Sequence, residues 1–399
     1  MYPYSGHVNG SGVGGSYYEK RSGTVQKGRP RRRRGSRSYH SGGATVSGNK
    51  QPKQAEGPLC TEFDMDYFRS YSHVGVHEAM IKDSIRTETY KEAIMQHQSF
   101  IAGNVILSLF CQVYAVDASG IALQALDIVE ANNLSDKIIV LHNRVEDVRI
   151  DDGVDVIISE WMGYMLLYES MLGSIIYARD RWLKPGGLIL PSSATLYMAP
   201  VTQSDRYGES IDFWRSVYGI DSKCMLKLCI SCAFEAPSIE TISGENLNNF
   251  PLQVKYVDCY TVSSGEIEFV TKSYKFKSMM RAPLHGFAFW FDVKFYGPAT
   301  AMHRLMPLHP DDNQVKDGSP RKKRANPNEA LVLSTAPEDP PTHWQQTVVY
   351  FYDPLEVEQD QIIEGSVTLT QSREHYRFMN IRLEYVTGGR SFVKESMMR

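Results

Sequence analysis

The hydrophobic period of this chain changes at Pro191, and that change limits it to a few architectures. Upstream, short apolar runs alternate with stretches of helical spacing. Residues 113–117 form a β-branched run ending in Asp117. Ile121, Ala125, Ile128 and Val129 recur at helical spacing, and Asn132-Asn133 closes that stretch. Residues 137–141 and 154–158 predict two more strands, and residues 67–90 predict one or two helices. Lys184-Pro185-Gly186-Gly187 predicts a turn leading into a strand over 188–190. Such alternation predicts an α/β domain with a largely parallel sheet. Downstream, residues 266–277, 286–295 and 367–385 alternate apolar and polar side chains, predicting antiparallel strands of a β-rich domain. Ahead of these strands, residues 204–254 start with aromatics and continue with helical stretches, predicting a protruding helical insertion.

With 399 residues the chain is long enough for two or three domains. Its charge is unevenly spread. Residues 1–60 carry four Lys and seven Arg against Glu19 and Glu56, a net +9, so the rest carries −12. No Leu, Ile, Phe or Trp precedes Leu59, so this basic Gly/Ser/Arg-rich tail is expected to be disordered. Its cluster Arg29-Pro30-Arg31-Arg32-Arg33-Arg34 fits a solvated tail, a nuclear-targeting signal or a nucleic-acid contact. Residues 307–330 are polar and contain Arg321-Lys322-Lys323-Arg324, so a flexible loop is expected there. No apolar run approaches a membrane span, and no secretory leader is evident. Six cysteines are too few for a disulfide framework and fit a reducing compartment. Cys224, Cys229 and Cys232 lack a fourth ligand nearby, so no metal site is expected.

Two acids stand out. Glu160 follows the apolar strand at 154–158, where parallel sheets bind ligands, and Glu169 lies beyond Gly163 in an apolar stretch. Unpaired buried charge is costly. Either the two carboxylates converge on a planar cation, for which guanidinium is the natural match, or one forms an internal salt bridge and the other is solvated. Asp117 reads either as a helix cap or as an acid holding ribose hydroxyls. His343, in Thr342-His343-Trp344, is either a pocket element or a structural loop histidine.

Ile158-Ser159-Glu160-Trp161-Met162-Gly163-Tyr164, with Tyr168-Glu169-Ser170-Met171, resembles the double-glutamate loop of protein arginine N-methyltransferases. Tyr67-Phe68-Arg69-Ser70-Tyr71, Val76-His77-Glu78-Ala79-Met80, the stretch around Arg86, residues 178–190 and Thr342-His343-Trp344 are similar to further segments of that family, its type I subclass above all. The resemblance runs from about Asp64 to the C-terminus. It implies a Rossmann-like domain over 61–191 that binds S-adenosyl-L-methionine (AdoMet). It also implies a β-barrel substrate domain over 192–399 with a dimerisation arm near 204–243. The implied activity is transfer of methyl to arginine nitrogen, giving mono- and asymmetric dimethylarginine in proteins such as histones and Gly/Arg-rich proteins. A homodimer in nucleus and cytoplasm is implied as well.

By the same resemblance, Glu160 and Glu169 hold the guanidinium, and His343 with Asp83 tightens the site and takes up protons. Met80, Met171, Tyr71 and Trp344 bound the substrate pocket. Arg86 pairs with the AdoMet carboxylate, His77 and Tyr71 close over the cofactor, Asp117 holds its ribose, and Val145 and Glu146 contact its adenine.

One departure from the family pattern is large. The family has a first strand that ends in a Gly-rich turn, where a Cβ would obstruct backbone contact with AdoMet. Here no Gly occurs between Gly103 and Gly120, and only ten residues separate Gly103 from Tyr114. A crossover between parallel strands takes about a dozen residues and a strand about five. Ten residues are too few for strand, turn and helix together, so the cofactor site is expected to be compromised.

Overall fold

The computed structural model describes residues 60–101, 113–297 and 330–399. The expected disordered tail, the flexible loop at 307–330 and the shortened stretch at 104–113 fall almost entirely outside the described residues. Residues 57–399 cluster as one compact unit.

Three helices replace the one or two expected at the start: α1 (Glu62–Ser70), α2 (Val74–Lys82) and α3 (Ser84–Gln96), followed by the single turn α4 (Gln98–Ile101). The breaks are chemical. Thr61 and Asp64 form a capping box that starts α1. Asp83 ends α2 and caps α3, its carboxylate accepting from the Arg86 N–H at 3.0 Å.

The α/β part contains β1 (Val113–Asp117), α5 (Ile121–Ala131), β2 (Ile138–His142), β3 (Val154–Ile158), α6 (Leu172–Trp182) and β4 (Leu183–Leu190). β1 pairs with β2, and β3 with β4, both parallel as the alternating pattern demands. The expected turn at 184–187 is instead the first half of β4. Leu183 pairs with Val154 and Leu188 with Val156, so the Pro-Gly-Gly segment is absorbed as a register shift, with Gly186 at φ +79°.

The β-rich part begins at β5 (Ser193–Val201). Two helices follow, α7 (Ser204–Ile211) and α8 (Leu226–Phe234), where the insertion was expected. Then come β6 (Ser238–Glu240), β7 (Leu252–Asp258), α9 (Ser264–Glu268), β8 (Phe269–Lys277), β9 (Ala282–Phe295), β10 (Leu331–Ser334), β11 (Gln346–Val357), β12 (Ile362–Gln371), β13 (Met379–Thr387) and β14 (Arg390–Met398). Residues 266–268, expected at the start of a strand, belong instead to the short helix α9, started by a capping box between Ser263 and Glu266. The strands form two antiparallel sheets, β6-β11-β9-β5-β7 with β10 beside β9, and β14-β13-β12-β8. Among the described residues no ladder closes them into one barrel.

Alternation explains the burial. In β13, Met379, Ile381, Leu383 and Tyr385 point inward, while Arg382 and Glu384 face solvent. One core joins both parts of the chain: Val156, Leu188, Ile189 and Leu190 pack in the same cluster as Phe287, Phe289, Phe291 and Leu383. Trp161, Met162, Met165, Leu166 and Leu167 lie in it too, so the segment between the two glutamates is anchored in the joint core.

Candidate active site

The glutamate segment is a tight loop under backbone strain. Four non-glycine residues have positive φ: Met165 (+52°), Leu166 (+66°), Glu169 (+71°) and Ser170 (+57°). Each such residue costs of the order of 1–3 kcal/mol and persists only where its surroundings fix it. Gly163 makes the turn possible. Its N–H donates to the Leu166 carbonyl at 3.2 Å, and an added Cβ would lie 2.1 Å from the Tyr168 carbonyl oxygen.

Both acids are largely withdrawn from solvent, and each has one oxygen engaged. Glu160 Oε2 meets Arg86 Nη2 at 3.3 Å. Glu169 Oε2 accepts from the Tyr67 hydroxyl at 2.6 Å and the Tyr71 hydroxyl at 2.9 Å. Among the described residues, neither Oε1 has a hydrogen-bond partner. Burial pushes both carboxyls above their usual range. Arg86 and His343 oppose this at Glu160, as do Tyr67 and Tyr71 at Glu169. Their mutual repulsion contributes at Glu160. A cation bridging the two free oxygens would relieve both effects.

Arg86 also donates through Nη1 to the Met80 carbonyl at 3.3 Å, while its Nε is buried without a partner. An orphaned guanidinium donor beside the acids is an opening for an anionic ligand group. Asp83 accepts from the ring Nδ1 of His343 at 2.7 Å and from its backbone N–H at 2.9 Å. Burial raises the Asp83 pKa, but the His343 ring and the N–H groups of Arg86 and His343 outweigh it, so the carboxyl lies below its usual range. His343 is among the groups that oppose the burial shift at both Glu160 and Glu169, so the Asp83–His343 pair lies near both acids.

The remaining expected residues divide. Tyr71 touches Glu169 directly, and His77 Nε2 lies 2.6 Å from the Tyr71 carbonyl, behind it. Met171 lines the loop, its sulfur 3.3 Å from Arg377 Nη1. Trp344 is buried and donates from Nε1 to the Met162 carbonyl at 2.8 Å, so it supports the loop from below. Asp117 Oδ1 accepts from the N–H and hydroxyl of Ser119 at 2.6 and 2.7 Å, which is the local capping turn, while Oδ2 is left over. Glu146 has both oxygens occupied, one by the Ser174 hydroxyl at 2.6 Å and one by Arg144 at 3.4 Å. Val145 packs in a cluster that includes Tyr114 and Val116. Asp117, Val145 and Glu146, the residues expected at ribose and adenine, thus lie near the carboxyl ends of β1 and β2, and Asp117 Oδ2 is still able to accept.

Four contributing residues escaped the sequence reading as site residues: Tyr67, Asp64, Tyr376 and Arg377. Tyr67 on α1 precedes Tyr71, at the C-cap of that helix, by four positions, a spacing that places both hydroxyls on one face and was available in the sequence. Tyr376 and Arg377, in the turn between β12 and β13, carry no local signal; only the fold brings them here.

The β-rich half matches the family pattern described as the arginine methyltransferase oligomerization subdomain, over residues 192–311 and 323–390. The chain is 62% identical over 373 residues to a probable protein arginine N-methyltransferase 6 of Arabidopsis thaliana, covering 88% of this chain and 85% of the relative. It is 38% identical over 349 residues to protein arginine N-methyltransferase 6 of Xenopus laevis, covering 82% of this chain and 93% of the relative. Its fold is similar to the open conformation of Arabidopsis thaliana protein arginine methyltransferase 10, with a TM-score of 0.67 at 30% identity over 84% of this chain and all of that one. The Trypanosoma brucei PRMT1 enzyme-prozyme heterotetrameric complex with AdoHcy gives 0.68 at 27% identity over 83% of this chain and all of that one. From these likenesses and from the paired carboxylates, the chain belongs to the protein arginine N-methyltransferase family.

Proposed function

We propose that this chain binds protein arginine between Glu160 and Glu169 and takes part in type I methylation, with AdoMet as donor and mono- and asymmetric dimethylarginine as products. The carrying observation is that each carboxylate has Oε2 held and Oε1 free. Two parallel N–H groups of a guanidinium fit that arrangement, and a lysine ammonium does not supply the fork. When bound, AdoMet supplies an activated methyl group. Arg86 Nε is the free donor for its carboxylate and Asp117 Oδ2 the free acceptor for its ribose, so the described residues fit those two parts of the ligand. Glu160 and Glu169 would draw positive charge towards the nitrogens they contact and leave electron density on the attacking one. His343, oriented by Asp83, would take up the proton that the guanidinium gives up. Met80 and Met171 would bound the pocket and leave room for a second methyl.

A second reading has its own support. The Arabidopsis alignment is 373 residues long yet draws on 88% of 399, about 351 residues, so about 22 aligned positions carry no residue of this chain. The short interval between Gly103 and Tyr114 is one place where such residues would be missing. If two donors to the charged donor ligand are lost, at roughly 1.5–3 kcal/mol each, affinity falls by about 10²–10⁴-fold. Such a chain would act as a partner subunit. The arm offers the surface for that role: Phe213, Tyr218, Ile220 and Leu228 are exposed. Pairing with a second copy is tested by the mass from sedimentation equilibrium, measured before and after Tyr218→Glu and Ile220→Glu; a monomer in both cases contradicts it.

Histone and Gly/Arg-rich peptides are the substrates to test, by mass spectrometry of the products. Methylation on lysine would overturn the arginine assignment. The basic cluster at 29–34 supports residence in nucleus as well as cytoplasm, and an unchanged distribution after removal of residues 1–60 would contradict that role for it. Salt-dependent nucleic-acid binding that vanishes with the same truncation would favour a nucleic-acid role for the tail.

A further inference from the structure

Glu169 is a non-glycine residue at φ +71°, and its side chain must nevertheless be held to within hydrogen-bond tolerance of a substrate. Its peptide is pinned by a residue 208 positions away. The Glu169 N–H donates to the Arg377 carbonyl at 3.1 Å, and Arg377 Nη1 donates back to the Glu169 carbonyl at 3.0 Å. Next in line, the Ser170 hydroxyl donates to the Tyr376 carbonyl at 2.6 Å. The turn between β12 and β13 therefore fastens both strained residues, Glu169 by its backbone and Ser170 by its hydroxyl.

The same guanidinium faces α1. Its Nε and Nη2 lie 3.0 and 2.8 Å from Asp64 Oδ1, and its carbon sits 3.9 Å from the Tyr67 ring centroid. Asp64 is fully buried and also accepts from the Tyr376 hydroxyl. Tyr67, one helical turn beyond Asp64, donates its hydroxyl to Glu169. A closed circuit results: Arg377 to Asp64, along α1 to Tyr67, from Tyr67 to the Glu169 carboxylate, and from the Glu169 carbonyl back to Arg377. Three separate guanidinium nitrogens are used, in two directions, with the side chain only 11% exposed. An ammonium at this place could neutralise Asp64 but could not span both partners.

We propose that Arg377 is the positioning residue for Glu169: it holds the left-handed Glu169 peptide and ties that geometry to the seating of α1 on the loop. This rests on reading Glu169 as a guanidinium ligand. Arg377 does not contact the substrate in this scheme; it acts through Glu169 and Tyr67.

The test uses the full chain with Arg377→Met, Arg377→Lys and the surface control Arg382→Ala. Three quantities are read: melting temperature, hydrogen exchange in segments 62–71 and 164–171, and affinity for an arginine-containing Gly/Arg-rich peptide. With Arg377→Met, exchange should quicken tenfold or more in both segments and peptide affinity should fall at least tenfold. Arg377→Lys should separate the effects. It should retain the α1 protection and most of the melting temperature, because Asp64 keeps a counter-charge, yet lose protection in 164–171 and peptide affinity nearly as fully as Arg377→Met. Wild-type exchange in 164–171 for both variants, or wild-type peptide affinity for Arg377→Lys, would overturn the proposal. If the wild-type chain bound no arginine peptide, Glu169 would lose its role as a guanidinium ligand, and the exchange pattern would still decide whether Arg377 positions it.

Discussion

The carboxylate of Asp83 accepts both the ring Nδ1 and the backbone N–H of His343, 260 positions further along the chain, at 2.7 and 2.9 Å. Asp83 also caps α3 through Arg86, whose guanidinium reaches Glu160. A helix start in the α/β part, a loop of the β-rich part and one of the paired acids are thus set by a single buried carboxylate.

Asp83→Asn is expected to destabilise the chain at neutral pH by about 1–3 kcal/mol, the usual cost of weakening bonds to a buried charge. The folded-state pKa of Asp83 is lowered, so its contribution is full above the ordinary aspartate pKa and is lost as pH falls through the folded value. Chemical denaturation of both proteins from pH 7 to pH 3 checks this. A difference that grows towards acid would contradict it.

Glu160→Gln should act in opposite directions on stability and binding. The Glu160 pKa is raised by burial, so ionisation costs stability as pH climbs from the ordinary glutamate value through the folded one. The Gln variant should therefore melt above wild type at neutral pH, with the gain disappearing near pH 4. Its affinity for an arginine peptide should drop by about 10–100-fold through loss of a charge-assisted bond. A variant that binds arginine as wild type does would remove Glu160 from the site.

Gly163→Ala should be among the most damaging small substitutions. A methyl 2.1 Å from the Tyr168 carbonyl forces the loop open, with a cost towards the upper end of the usual 0.5–3 kcal/mol range. Circular dichroism melts and peptide binding measure it together. Unchanged affinity would mean that the loop turn does not position the acids.

Lys394 gives a pH signature outside the site. It is buried, donates to the Phe234 carbonyl at the end of α8, and has its pKa lowered by burial to about 8. The folded state disfavours the charged lysine, so stability should rise as pH increases from about 8 towards the unfolded lysine value, about 10.4. Lys394→Met should melt higher than wild type at pH 7, and the gap should narrow over that window. A variant that melts lower at every pH would contradict this.

Much of the scaffold was legible because burial and period agree. Residues 113–117 and 154–158 are short apolar runs with no competing signal, and both are strands where expected. The Pro-Gly-Gly at 185–187 misled because pairing of β4 with β3 overrides local turn preference. Glu160, Glu169 and the Asp83–His343 pair were legible by resemblance, and the structure brings them together. Asp64, Tyr376 and Arg377 were not, because a charged pair joining the first helix to a turn over 300 residues later leaves no trace in local sequence.

In the second reading proposed above, the arginine clamp is complete while the donor site is short of its glycine turn. Calorimetric titration of the unmodified chain with AdoMet, beside a chain carrying a Gly-rich strand and crossover restored between Val105 and Val113, tests it most directly. Binding should be absent or weak in the first and restored in the second. Micromolar AdoMet binding by the unmodified chain, with arginine methylation that Glu160→Gln abolishes, would contradict it.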